Sequence, residues 1–255
     1  MKLALWQGEG AAGDPAATLD LAAKVAEEAG EAGADLLVFP EGYLTGYYLP
    51  DLAGGDLDGV DVALAQVGAI AARTGVGIVM GTHLATPDGL RNAAVVFAAT
   101  GEEIGRYHKR TLFGAWEQAT FLRGDRPLRF DCGGLRVGVA ICYDVEFPEL
   151  VRAEAQAGVD LVVVPTALMA PHDHVARMVV PVRALENQIF IGYANRSGRE
   201  HDLDFVGLSS IRDPSGAALA QAGQGPQMLL ADLDWQAIRQ ARADFCYLDD
   251  LPSPA

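Results

Sequence analysis

Residues 33–41 read G-A-D-L-L-V-F-P-E, and residues 158–166 read G-V-D-L-V-V-V-P-T. Each begins with a glycine suited to ending a helix and continues as a short apolar run. A proline and then a polar residue follow. Such a run is short for a helix and, bounded by Asp and Pro, reads as a strand buried on both faces. The polar residue therefore stands just past the strand's carboxyl end, where α/β proteins build their sites. An α/β fold made of two similar halves would produce this recurrence.

Working outward, apolar runs alternate with helical patterns nearly from end to end. Strands are expected at 2–7, 35–39, 76–80, 93–98, 135–141, 160–164, 189–194 and 206–211. Asp14 is a natural N-cap with Pro15 in the first helical position, which opens a helix ending near Gly30–Gly33. A second helix is expected over 60–73, with Val60, Ala63, Leu64, Val67 and Ala71 on one stripe. A third follows Pro148. A fourth carries Val175, Met178, Val179, Val182 and Leu185, with Pro181 predicting a kink or a late start. No Pro-, Gly- or Ser-rich linker divides the chain, so one domain is expected over 1–255, with a core to about 233 and a tail over 234–255.

The 255 residues, 50% hydrophobic and 21% charged, suffice for a large core. Three irregularly spaced cysteines make no disulfide framework, and a reducing, cytoplasmic setting is the simpler reading. The formal charge of −15 argues against a nucleic-acid partner, because phosphates would be repelled. No apolar window is long enough to span a membrane, and the opening M-K-L-A-L-W-Q reads as a strand and not a signal peptide.

Residues 8–13, G-E-G-A-A-G, match the dinucleotide fingerprint G-x-G-x-x-G, with Glu41 posing as its acidic partner. In that fingerprint the helix begins within the glycines and turns its first amides toward the pyrophosphate. Here Asp14-Pro15 starts the helix after them, and Glu9 puts a carboxylate inside the loop. A Gly-rich loop is the better reading, and no cofactor is expected.

The stretch A-I-C-Y-D-V-E-F-P-E-L (140–150) puts Cys142 where a buried strand ends. As filling, a valine would serve as well. As a nucleophile, the thiol needs a base and donors for the oxyanion it creates. Two other strand ends offer these: Glu41 in F-P-E-G-Y and Lys109 in Y-H-K-R-T-L-F.

Three segments together carry a resemblance: F-P-E-G-Y-L-T-G-Y (39–47), Y-H-K-R-T-L-F (107–113) and I-C-Y-D-V-E-F-P-E (141–149). In this order they resemble the signatures of the nitrilase superfamily, the carbon–nitrogen hydrolases, and the likeness continues through R-A-L-E-N-Q (183–188). The resemblance implies a four-layer α-β-β-α sandwich and a Glu41–Lys109–Cys142 triad. It adds Glu117, in W-E-Q-A-T-F-L-R-G, as a second glutamate orienting Lys109 and the substrate. Oxyanion stabilisation would fall to Lys109 and the Tyr143 backbone amide. Tyr143, Glu146, Thr166 and Ala167 are the expected substrate-binding positions. The implied activity is an aliphatic amidase acting on a small-molecule amide without metal. The alternatives are an N-carbamoyl amidohydrolase, a nitrilase and, from other classes, a silent binding protein or a nucleotide-dependent oxidoreductase. Pairing through the helix after the nucleophile, about 148–157, would give a homodimer or higher homo-oligomer.

The chain departs from the common family pattern at Glu146, where many members have Arg, and at Thr111, where many have His. Other residues invite plainer readings. Cys132 and Cys246 lack companions and read as unreactive. Glu149, Arg183 and Glu186 read as a structural ion-pair set. Met169, Met178 and Met228 read as core or pocket lining. His172 and His174, two apart with no third ligand, read as a solvated loop and not a metal site.

Overall fold

The computed structural model describes residues 1–49, 52 and 57–250. The first half runs β1 (Lys2–Gln7), α1 (Pro15–Glu31), β2 (Leu36–Val38), α2 (Val60–Thr74), β3 (Gly77–Thr86), β4 (Gly89–Phe97), β5 (Glu103–His108) and α3 (Gly114–Thr120). The second runs β6 (Arg129–Cys132), β7 (Leu135–Val139), α4 (Pro148–Gln156), β8 (Leu161–Thr166), α5 (Val180–Asn187), β9 (Phe190–Asn195), β10 (Ser197–Glu200), β11 (Leu203–Val206), β12 (Ser210–Arg212) and β13 (Ala218–Gln221). Then β14 (Gln227–Asp232) crosses back to pair with β1, and α6 (Trp235–Asp244) follows.

Two six-stranded sheets result, ordered β14-β1-β2-β3-β4-β5 and β13-β12-β9-β8-β7-β6. The two echo segments occupy equivalent places. β2 lies between parallel neighbours β1 and β3, and β8 lies between parallel neighbours β7 and β9. In each half a helix links the first two of these strands, so the recurrence in sequence is a recurrence in architecture.

Alternation along the strands explains the layers. Leu3, Leu5, Leu36 and Val38 face Leu161, Val163 and Phe190 between the sheets. The residues between them turn outward: Ala4 and Leu37 meet α1 and α2, while Val162 and Val164 meet α4 and α5. Both faces are apolar because both are covered. The fold is the expected α-β-β-α sandwich. The sheets approach closely at Gly192, where a Cβ would stand 2.8 Å from the Leu3 side chain.

Local chemistry sets the helices. The Asp14 carboxylate accepts from the Ala17 amide, Pro15 follows, and Leu19, Ala22, Val25, Ala26 and Ala29 form the buried stripe of α1. All five expected stripe residues of α2 are buried, and Gly75, at φ 68, ends that helix.

Four expectations need correction. Val175, Met178, Val179, Val182 and Leu185 do not share a buried face: Val175 is buried and Val179 partly so, Met178, Val182 and Leu185 are exposed, and Ala176, Val180 and Ala184 take the buried places. The reason is a π turn over Val175–Val179, whose wider spacing rotates the helical phase before α5 begins beside Pro181. That late start at Pro181 is as expected; the core or lining place for Met178 is not. The strand expected at 206–211 is two, β11 and β12, broken where Gly207 and Leu208 take φ of 65 and 60. Glu149 is exposed and makes no ion pair among the described residues, whereas Arg183 and Glu186 pair at 2.8 Å. The stretch from 234 opens with α6, whose Ile238 is buried in the intersheet core. Gln188 holds that helix by donating to the Ala241 and Phe245 carbonyls. Residues 251–255 of the expected tail lie outside the described residues.

Candidate active site

Glu41, Lys109 and Cys142 each follow a strand end, and the sandwich brings those ends to one edge. Beyond β2, the Pro40–Glu41 turn packs onto β3 at Gly81, where a Cβ would lie 2.0 Å from the Pro40 carbonyl oxygen. Only glycine fits there. The Glu41 amide reaches the Thr166 carbonyl at 3.4 Å, so the polar residues ending the two echo segments meet across the sheets. Lys109 leaves β5 with its amide on the Asn92 carbonyl at 2.8 Å.

Cys142 opens a short 3-10 turn, Cys142–Glu146, with φ at 44. A non-glycine residue there is strained and must be held by its surroundings. Asp144 does the holding. One carboxylate oxygen accepts from the Ile141 amide at 3.0 Å and the Tyr107 hydroxyl at 2.8 Å. The other accepts from the Thr111 amide at 2.8 Å and from the Thr111 hydroxyl. The cysteine turn is thus tied to the segment that carries Lys109.

The Lys109 ammonium sits 2.7 Å from Glu41 Oε1 and 2.7 Å from Glu117 Oε1, with all three side chains fully buried. Asn92 donates to Glu41 Oε1 at 2.8 Å and the Tyr47 hydroxyl to Glu117 Oε1 at 2.9 Å. The Phe113 amide donates to Glu117 Oε2 at 2.7 Å. Of the carboxylate oxygens of Glu41 and Glu117, Glu41 Oε2 is the one buried without a partner. A full set of bonds holds Glu117 in place, whereas Glu41 keeps one oxygen free to take a proton.

Electrostatics divide the roles further. Burial pushes the Glu41 carboxyl up, against the pull of Lys109. Burial alone would lower Lys109, but Glu41 and Glu117 overcome it and hold the ammonium above its usual range. Burial and Glu41 push the Cys142 thiol well up, opposed by Lys109 and the Ala167 N–H. The resting group is therefore a thiol beside a carboxylate of raised basicity, with a permanent ammonium between two carboxylates.

Cys142 opens into a small cavity lined by Tyr47, Phe113, Glu146, Ala167, His172 and Val175, among others. Ala167 and Glu146 stand on its wall as expected. Thr166 does not: its hydroxyl turns back to the Val164 carbonyl at 2.9 Å, and its place is behind the wall. The Tyr143 ring packs on Phe113 and Phe147 outside the lining. His172 and His174 are not a purely solvated loop, since both line the cavity and His172 packs on Phe113.

A family model for carbon–nitrogen hydrolases matches residues 2–243. The chain belongs to the carbon–nitrogen hydrolases. It is 39% identical over 255 residues to a protein of Pseudomonas protegens named "Hydrolase in pqqF 5'region", covering 98% of this chain and 88% of that one. It is 35% identical to an (R)-stereoselective amidase of a Pseudomonas species, covering 98% and 91%. Among solved structures, a mutant amidase from Nesterenkonia sp. AN1 superimposes with a TM-score of 0.86 at 34% identity, covering 98% and 97%. In that structure the acetamide moiety of fluoroacetamide is added covalently at the active-site cysteine.

The supporting residues of this carbon–nitrogen hydrolase carry weaker signals in the sequence than its triad does. Asn92 was hidden in an apolar strand, although an amide there needs a partner and so carries a signal. Asp144 lay in plain view within C-Y-D. Arg196 and Glu200 form a buried pair at 2.7 Å. The Arg196 guanidinium also donates to the Glu41 and Gly42 carbonyls, and Glu200 accepts from the Tyr47 and Tyr48 amides. Together they brace the segment between Glu41 and Tyr47.

Proposed function

We propose that this carbon–nitrogen hydrolase is an amidase that converts a small aliphatic carboxamide to the carboxylic acid and ammonia through a Cys142 thioester. The observation that carries this is the buried Lys109 between Glu41 and Glu117, beside a cysteine held at positive φ. In the first step Glu41 Oε2 takes the thiol proton as Cys142 Sγ bonds to the amide carbon. The carbonyl electron pair moves to oxygen, and Lys109 with the Tyr143 amide stabilises the oxyanion. The oxyanion collapses, the C–N bond breaks, and Glu41 returns its proton to the leaving nitrogen as ammonia departs. Water then gives a proton to Glu41 and attacks the thioester. Collapse of the second tetrahedral species breaks the C–S bond and releases the acid, and Glu41 returns its proton to the sulfur to restore the thiol. Glu117 positions Lys109 and leaves proton transfer to Glu41, since its own oxygens are already bonded.

The test combines ammonia release from amides, carbamoyl compounds and nitriles with mass mapping of a haloacetamide adduct. The reading expects amides to lead and one adduct, on the peptide containing Cys142; Cys142→Ala should abolish both while Cys132→Ala stays active. Turnover by the Cys142→Ala variant would refute the mechanism.

We also propose a homo-oligomer. Met178, Val182 and Leu185 form an exposed apolar stripe beside α4, which supports pairing of this face with its copy.

A further inference from the structure

Among the described residues, Glu146 is the one carboxylate on the wall of the Cys142 cavity. Its side chain is half-buried and, among the described residues, accepts no hydrogen bond and pairs with no cation. The nearby cations are committed elsewhere. Arg183 donates to the Val145 and Glu146 backbone carbonyls and pairs with Glu186. Lys109 is held by Glu41 and Glu117. His172 and His174 line the same cavity, and neither hydrogen-bonds to the carboxylate. The scaffold therefore uses the Glu146 backbone and leaves its side chain to whatever enters the cavity.

A partly desolvated carboxylate without a partner is costly, and a ligand that supplies one is bound preferentially. The other walls, Tyr47, Phe113, Leu168 and Val175, are suited to an alkyl stem. We propose that Glu146 is a cation subsite, selecting carboxamides whose acyl chain ends in an ammonium over matched chains ending in a carboxylate. A carboxylate-ended chain would meet Glu146 with like charge, and among the described lining residues only the His172 and His174 imidazoles stand to offset it. This inference rests on the amidase reading for the reacting end and concerns only the far end of the chain.

The test separates the two. Binding is measured by calorimetry to the Cys142→Ala variant, which cannot turn over, and to that variant with Glu146→Gln or Glu146→Lys added. The ligands are neutral, ω-amino and ω-carboxy amides of matched length, with chains of three to six carbons. The ω-amino amide should bind about tenfold tighter than the neutral one, the scale of one hydrogen bond to a charged group. Glu146→Gln should erase that ratio, and Glu146→Lys should reverse the order in favour of the ω-carboxy amide. A ratio unchanged by Glu146→Gln, a preference for the ω-carboxy amide in the parent, or no binding by any member would overturn the proposal. Ammonia release from the neutral amide by the wild-type protein tests the amidase reading alone, so its failure with the binding order intact would strike only that reading.

Discussion

Cys142 shows why single residues in this site cannot be judged by composition. Its thiol is pushed up by burial and by Glu41, so it is protonated at rest and must lose its proton as it attacks. That places the demand on Glu41, which serves as base only when ionised. Because burial raises Glu41 above its ordinary 4.5, lowering the pH protonates it sooner than a solvated carboxylate. The acid limb of kcat/KM should therefore lie above pH 4.5, measurable as a pH–rate profile with a neutral amide. Glu41→Gln and Lys109→Ala should each lower kcat by at least about a hundredfold, the scale of a lost base or oxyanion donor. A change in KM with kcat intact would contradict these roles. Asp144→Asn should also lower kcat, because an amide cannot accept all four bonds that fix the cysteine turn.

Elements follow local rules where those rules act alone. α1 begins where Asp14 and Pro15 say it should, and replacing the cap tests this directly. Asp14→Ala should cost about 1 kcal/mol in a denaturant titration, the scale of one lost helix cap. A loss near zero would mean the helix is held by packing alone. α5 is the counterexample. Its apolar residues at helical spacing pointed to a buried stripe, yet the π turn at Val175–Val179 rotates that stripe outward. Hydrogen bonding that shifts from one spacing to another is not visible in hydrophobic period.

At the scale of the molecule, the exposed stripe becomes a prediction about assembly. Met178, Val182 and Leu185 are 66%, 45% and 39% exposed, an apolar stripe that a second copy could cover. Val182→Glu together with Leu185→Glu should lower the mass seen by sedimentation or light scattering, with the far-UV spectrum retained. An unchanged mass would place the interface elsewhere or remove it. The two halves also close on each other through β14, which leaves the second half to pair with β1 of the first. The first sheet therefore lacks that edge strand without the second half, whereas both edges of the second sheet are the second half's own.

The sequence by itself determined the two-half plan, since buried strands read the same wherever they occur and Pro40 and Pro165 mark their ends. It also determined the chemistry on offer, because the segments holding Glu41, Lys109 and Cys142 are distinctive when taken together and in order. Only the tertiary structure decided what these residues are to one another. The approach of Lys109 to Glu41 and the Asp144 brace on Tyr107 join segments dozens of residues apart, and the free oxygen of Glu41 and the unpaired Glu146 carboxylate follow from how those segments pack. Such contacts depend on sheet order and on close passages such as Gly81 against Pro40, which a single chain's periodicity does not encode. Thr166 marks the boundary: its position at a strand end was legible, but whether its hydroxyl faced the cavity or its own strand depended on a side-chain torsion set by packing.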